Sequence, residues 1–310
     1  MNFNWKSKKL VFFVIFGFWS VGALAIDFTT AGSGKKDNEE AIPSELRETD
    51  SCPKHYPLGE PKFKNQQINV RSIWRCYQGF AVQYHIDFKV PLWSAQVINM
   101  KEVNKDEFGR VEIFRPDPQV SEKLQASLAS YKGSGYDRGH MTPAYDMRFS
   151  RQAMDESFYL TNIAPQVGKN FNQGIWAELE AKVRYWSRYR GTLLVVTGPV
   201  FLNGTTLGTI GKKDKVQIPT HFFKVIFDLK RNESIAFIMP NQAILTKKSK
   251  IKEDSNIYKC AESYCVLENF VTGVSEVERL TQLDFHQKLD KEQKNKAESF
   301  DPVGQWFKVK

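Results

Sequence analysis

Three short apolar runs limit the folds open to this chain more than any other feature: TLLVVT at Thr192–Thr197, HFFKVIFDL at His221–Leu229 and SIAFIM at Ser234–Met239. They are rich in β-branched and aromatic residues and too short for buried helices. The first stops at Gly198-Pro199 and the third at Pro240, both turn signals. A fourth strand-like run, GFAVQYHIDFKV, covers Gly79–Val90. Turn chemistry and length together predict a largely antiparallel sheet. One helix is clear: in NQGIWAELEAKVRYWSRYR, starting at Asn172, the residues Ile175, Leu179, Val183 and Trp186 form an apolar stripe, and Gly191 supplies a stop. A second helix is expected at Val274–Gln282, and Lys247–Ser255 reads as an exposed charged excursion. The expected fold class is α+β, a central mainly antiparallel sheet flanked by helices.

Residues 1–25 stand apart from this pattern. Lys6, Lys8 and Lys9 precede an apolar stretch that ends at Ala23-Leu24-Ala25, the form of a cleavable signal peptide. An uncleaved anchor through residues 10–26 is the weaker reading, because 17 residues are at the short limit for spanning a ~30 Å hydrocarbon core. Either reading predicts an exported chain, periplasmic or secreted, with membrane anchoring second. Residues 26–50 are polar and nearly free of aromatics, as expected of a flexible linker. Their GSGKK lacks the spacing and the preceding strand of a phosphate loop. Residues 51–310 remain, rich in Phe, Tyr, Trp and Val and long enough for a single domain with one sizeable core.

Cysteine usage agrees with an oxidising compartment. The preferred local pairing is Cys52 with Cys76 and Cys260 with Cys265, although sequence alone permits three connectivities and free thiols. A zinc site is disfavoured, since these spacings lack nearby His pairs. Losing residues 1–25 removes three lysines and no acid, lowering the formal charge from +9 to +6. A basic balance of this size points weakly to nucleic acid or an anionic surface.

The densest chemistry lies in YDRGHMTPAYDMRFS, Tyr136–Ser150. Phosphodiester hydrolysis needs a base, a cation to absorb charge and donors that hold the phosphate. His140 is neutral near pH 7 if its pKa is the ordinary ~6.5, and Gly139 before it would let a substrate backbone approach. A lone histidine is more often a surface or packed residue. Downstream, Asn172 opens the amphipathic helix and Glu180 lies about 80° around it. An amide oxygen and a nearby carboxylate suit Mg²⁺, which keeps several waters. As an alternative, Asn172 is a helix N-cap and Glu180 a solvated helix residue. Asp146 and Arg148 read as ordinary surface charge.

YDRGHMTPAYDM, FYLTNIAPQ and NFNQGIWAELE, in that order and spacing, resemble the DNA/RNA non-specific endonuclease family, the ββα-metal (His-Me finger) nucleases that include endonuclease G. RVEIFRPDP upstream and VVTGPVF, IPTHFFKVIFDL, IMPN and VERLTQLDF downstream extend the resemblance over residues 77–285. It implies that His140 is the general base and Asn172 the one direct protein ligand of a hydrated Mg²⁺, for which Mn²⁺ can substitute. It further implies that Glu180 contacts a cation-bound water, Arg138 engages phosphate and Asp137 fixes the motif. Arg110 matches a second phosphate-binding arginine, with Arg115 as a competitor, and Asn162 matches a supporting asparagine on the nucleic-acid side. The implied activity is endonucleolytic hydrolysis of DNA and RNA to 5′-phosphate ends, with no organic cofactor and with homodimerisation left open. A catalytically silent nucleic-acid-binding protein of the same fold is the alternative. A serine hydrolase is excluded: no G-x-S-x-G occurs, and Ser134 in KGSGY has no strand-to-helix turn. The stretch 245–268 and the Cys52–Cys76 segment depart from the family pattern.

Overall fold

The computed structural model describes residues 52–310 except 65–70, 100, 102–107, 111, 250–256, 262–263, 299–301 and 309–310. The expected signal peptide, linker and GSGKK run lie outside the described residues, as does most of the charged excursion. Among the described residues, thirteen strands occur in chain order: β1 (Lys62–Phe63), β2 (Ser72–Cys76), β3 (Ala81–His85), β4 (Val90–Ile98), β5 (Tyr136–His140), β6 (Ile163–Val167), β7 (Leu193–Val200), β8 (Thr209–Ile210), β9 (Val216–Gln217), β10 (His221–Asp228), β11 (Glu233–Pro240), β12 (Val271–Thr272) and β13 (Leu283–Asp284). Seven form one antiparallel sheet in the order β12-β11-β10-β7-β4-β3-β2. The α+β architecture with a central antiparallel sheet is therefore as expected.

Period-two alternation divides the core between the two faces of this sheet. Phe222 and Ile226 of β10 and Val195 of β7 pack with Trp176, Leu179, Val183 and Trp186 under the helix Ala177–Arg190. Phe223, Val225 and Phe227, with Leu194 and Val196, pack on the other face with Val274 and Val277 of the helix Val274–Thr281. Lys224 falls between Phe222 and Ile226, on the face that carries the first helix.

Several boundaries differ from the sequence reading for local physical reasons. The run Gly79–Val90 is a strand only to His85; a tight turn with Lys89 at φ 55° then starts β4, an element the sequence reading missed. Strand β7 continues through Gly198-Pro199 where a turn was expected. Beyond Thr197 it pairs with β10 alone, so the missing proline N–H falls on a side where β4 no longer pairs. Gly198 is required there because a Cβ would lie 2.4 Å from the Leu92 carbonyl oxygen. The regular helix starts at Ala177, not at Asn172: Gly168–Trp176 is an irregular helical lead-in broken at Lys169, Asn170 and Gly174. Gly191 ends the helix at φ 95°, as expected.

Both preferred cysteine pairs are disulfides, with Cα atoms 5.6 Å apart for Cys52–Cys76 and 5.2 Å for Cys260–Cys265. His55 lies beside the first pair, but sulfurs bonded to each other are not thiolate ligands. Its ring instead bonds the Tyr77 carbonyl at 2.9 Å.

Candidate active site

Strands β5 and β6 form a separate antiparallel pair, joined by a helical connection, with His140 opposite Ile163 and Asp137 opposite Gln166. The chain then runs through the lead-in Gly168–Trp176 into the helix Ala177–Arg190, a ββα arrangement. A cavity of about 750 Å³ opens over it, lined by Arg110, Arg138, His140, Asp137, Asn172 and Glu180 among others. Arg138 and His140, two residues apart, share one strand face. Gly139 serves packing and not substrate approach: a Cβ there would sit 2.1 Å from Gln166 Oε1.

The His140 ring lies between Phe114 and Phe158, with centroids 5.2 and 5.1 Å away. Its Nε2 is buried without a hydrogen-bond partner among the described residues. Burial, then the charges of Arg110 and Arg138, push its pKa down to about 3, so the ring is neutral at pH 7. Desolvation of a cationic imidazole and like charge act in the same direction here.

Asp137 ties the β5–β6 pair to the lead-in. Its Oδ2 accepts from Asn172 Nδ2 at 2.9 Å and from Gln173 Nε2 at 2.8 Å. Because a carboxylate only accepts, the amide nitrogen of Asn172 must face it, and the carbonyl oxygen is left for another partner. The N-cap alternative for Asn172 fails, since four residues lie between it and Ala177, and the N-cap position is Trp176. Gly168 packs so closely that a Cβ would meet Asp137 Oδ1 at 2.8 Å.

Glu180 is half-buried in the same cavity. Burial raises its pKa, opposed by Lys224 and reinforced by Asp146. Lys224, 1 % exposed, donates to Thr197 Oγ1 at 2.6 Å and lies over the Trp176 ring at 4.9 Å. Burial lowers its pKa, and the charges of Glu180 and Asp146 oppose that shift. Asp146, expected on the surface, is 5 % exposed and accepts from Arg184 Nη1 and Gln96 Nε2, each at 2.9 Å. It is corrected from surface charge to a buried anchor of the helix. Arg148 is half-buried and stacks on Tyr145 at 4.6 Å. Arg184 covers the same ring at 4.4 Å.

The two arginine candidates separate. Arg110 lines the cavity over the Phe158 ring, whereas Arg115 stacks on Tyr159 at 4.6 Å and is absent from the cavity lining. Glu112 lies 3.5 Å from Arg110 and 3.8 Å from Arg138. Asn162 does not face the cavity. It is fully buried, accepts from Thr142 N at 3.0 Å and donates to the carbonyls of Thr142 and Ser157. Its expected place on the nucleic-acid side is corrected to bracing the chain after His140. Sequence reasoning missed Lys224, Asp146 and Arg184; a lysine on the alternating apolar face of β10 was the available signal.

A sequence model of the DNA/RNA non-specific endonuclease family matches residues 59–292. The chain belongs to this family. Among relatives, mitochondrial nuclease 1 of Schizosaccharomyces pombe is 36% identical over 209 residues, 63% of this chain and 60% of that one. Nuclease C1 of Cunninghamella echinulata var. echinulata is 39% identical over 188 residues, 57% of this chain and 67% of that one. Human mitochondrial endonuclease G is 37% identical over 164 residues, 49% of this chain and 54% of its own. The match thus spans about half to two thirds of each of these family members. A crystal structure of EndoG with EndoGI, titled for the mechanism of EndoG inhibition, superposes with a TM-score of 0.65 at 28% identity, covering 78% of this chain and 93% of that one.

These relatives correct the expected destination. The S. pombe, Saccharomyces cerevisiae and human nucleases are mitochondrial by name, against the periplasmic or secreted location expected here.

Proposed function

We propose that the protein is a divalent-cation-dependent, sugar-non-specific endonuclease that hydrolyses DNA and RNA to 5′-phosphate ends. The observation that carries this reading is His140: neutral, with a buried Nε2 that lacks a partner among the described residues, in a cavity shared with two arginines, Asn172 and Glu180. Such a nitrogen can take a proton from water. As His140 Nε2 accepts that proton, the oxygen attacks phosphorus in line and the P–O3′ bond breaks; the departing O3′ takes a proton from water to become a 3′-hydroxyl, and the phosphate stays on the 5′ oxygen. Arg110 and Arg138 hold the non-bridging oxygens and balance their charge. Attack by water requires no 2′-hydroxyl, so either sugar serves. Backbone contacts carry little sequence information.

The residues fit a hard cation with few protein ligands. The Asn172 carbonyl oxygen is freed by the bond its nitrogen makes to Asp137, and Glu180 is a carboxylate whose charged form burial disfavours, so a nearby cation would stabilise it. Asn172 would hold Mg²⁺ directly and Glu180 through water, with Mn²⁺ able to substitute; the bound ion would stabilise charge on the phosphate and the departing oxygen. The test is His140→Ala on plasmid DNA. Nicking is expected to fall by at least about a hundredfold while salt-sensitive binding persists, and excess EDTA should stop the native protein. Undiminished nicking by the variant, or full native activity in EDTA, would overturn the reading; a native protein that binds and never cuts would favour the silent-binder alternative.

A further inference from the structure

The sequence between β8 and β9, GKKDK at Gly211–Lys215, sets three lysines around one aspartate. In solution such a run is ordinarily a solvated tip with no fixed direction. Here the aspartate is turned inward and pinned. Asp214 Oδ2 accepts from Ser127 N at 3.1 Å and from the hydroxyls of Ser127 and Ser130 at 2.5 Å each. Gly211, at φ 79°, is seated so closely that a Cβ would lie 2.7 Å from Ser130. Lys212, Lys213 and Lys215 are left exposed.

The anchor belongs to a cavity wall. Leu128, Tyr131 and Lys132 line the cavity above His140, and Ser127 and Ser130 each precede one of the first two by a single residue. The loop therefore sits about 100° around the short helix Leu128–Tyr131 from the cavity. Lys132, itself exposed, lies beside the cavity on the same segment. The Lys89 ammonium donates to the carbonyls of Lys123 and Gln125, which holds the chain entering this helix.

We infer that Lys212, Lys213 and Lys215 form a second contact for the phosphate backbone of a duplex substrate beyond the cavity, an inference that rests on the nuclease reading above. A helix is about 10–12 Å across, and a strand of duplex advances about 3.4 Å per nucleotide. With one helix width between the loop and the cavity, the loop would meet the backbone at least about three nucleotides from the scissile phosphate. Lysines act there as point charges, which suits phosphate without reading bases. Pinning by Asp214 limits the ordering cost of the contact.

The test compares the native protein with K212Q/K213Q/K215Q on a 30-base-pair duplex and on a six-nucleotide single strand. Binding is measured in EDTA at several salt concentrations, and cleavage in Mg²⁺. Each lost phosphate contact lowers the slope of log Kd against log salt by about 0.9, so the triple variant should lose about two to three from its duplex slope. Its KM for duplex relative to the short strand should rise about tenfold. An unchanged duplex slope with a native melting temperature would overturn the inference. Asp214→Asn separates placement from charge: it adds positive charge but loosens the loop, so duplex affinity should fall, and a rise would also overturn the inference. A native protein that neither binds nor cuts either substrate would instead sink the nuclease reading itself.

Discussion

Asn172 Nδ2 donates to Asp137 Oδ2 at 2.9 Å. With the bond from Gln173 Nε2 to the same oxygen, this contact joins the strand pair that carries His140 to the lead-in that carries the candidate cation ligand, and it decides which end of the Asn172 amide faces away from the carboxylate.

Asp137→Ala should therefore act through cation affinity. Outer partners of metal ligands are typically worth about 10- to 100-fold in affinity, so the Mg²⁺ concentration for half-maximal cleavage should rise by that order. Rate at saturating Mg²⁺ should recover in part. A Mg²⁺ titration of cleavage checks this; an unchanged half-saturation point would show that the bond does not orient Asn172.

Glu112 lies near both cavity arginines, in competition with a phosphate. Glu112→Gln should raise affinity for nucleic acid, and not lower it. Exposed pairs of this kind contribute about 0–1 kcal/mol, so a severalfold fall in Kd at low salt is expected, shrinking at high salt. Anisotropy titrations at two ionic strengths would read it.

The pH profile should also depart from an ordinary histidine. His140 is active when neutral, and its pKa in the free protein is pushed down to about 3. The acid limb of kcat/KM due to this residue therefore lies well below pH 6.5. Bound phosphate offsets the charges of Arg110 and Arg138, which raises the pKa again, so the limb of kcat should lie at higher pH than that of kcat/KM. Coincident limbs, measured at saturating Mg²⁺, would count against the arginines as contributors to the shift beyond burial.

Acid should destabilise the fold through other histidines. His55, His85 and His286 are buried, and burial pushes each pKa down to about 4. A lowered basic pKa means that the unfolded chain binds more protons, so stability is full above about pH 6.5, falls as the pH drops toward 4 and then levels off for these groups. At 1.36 kcal/mol per pKa unit, the upper bound is about 3 kcal/mol per residue. Urea denaturation at pH 7 and pH 4.5 should show the loss, and His286→Gln should reduce its size.

How much of this was legible in the sequence varies by residue. The β-branched and aromatic content of HFFKVIFDL and TLLVVT, with the turn residues around them, was enough for strands of an antiparallel sheet, and within a strand side-chain direction follows from residue parity. The ordered motifs around His140, Asn172 and Glu180 were enough to bring the candidate site together on paper. Parity and motif order are local properties, so they survive without coordinates.

The tertiary structure decided what depends on neighbours far apart in the chain. Asp146 looked like surface charge until Arg184 and Gln96 enclosed it. Gly139 looked like an opening for substrate until Gln166 of the paired strand filled the space. Asn162 matched a motif, yet its amide is spent on backbone groups. The chain by itself determined which chemical groups are present and which strands and helices can form. Packing determined which groups are desolvated, because burial is set by contacts between distant segments, and desolvation is what pushes the His140 pKa far below its ordinary value and encloses Asp146 as structure.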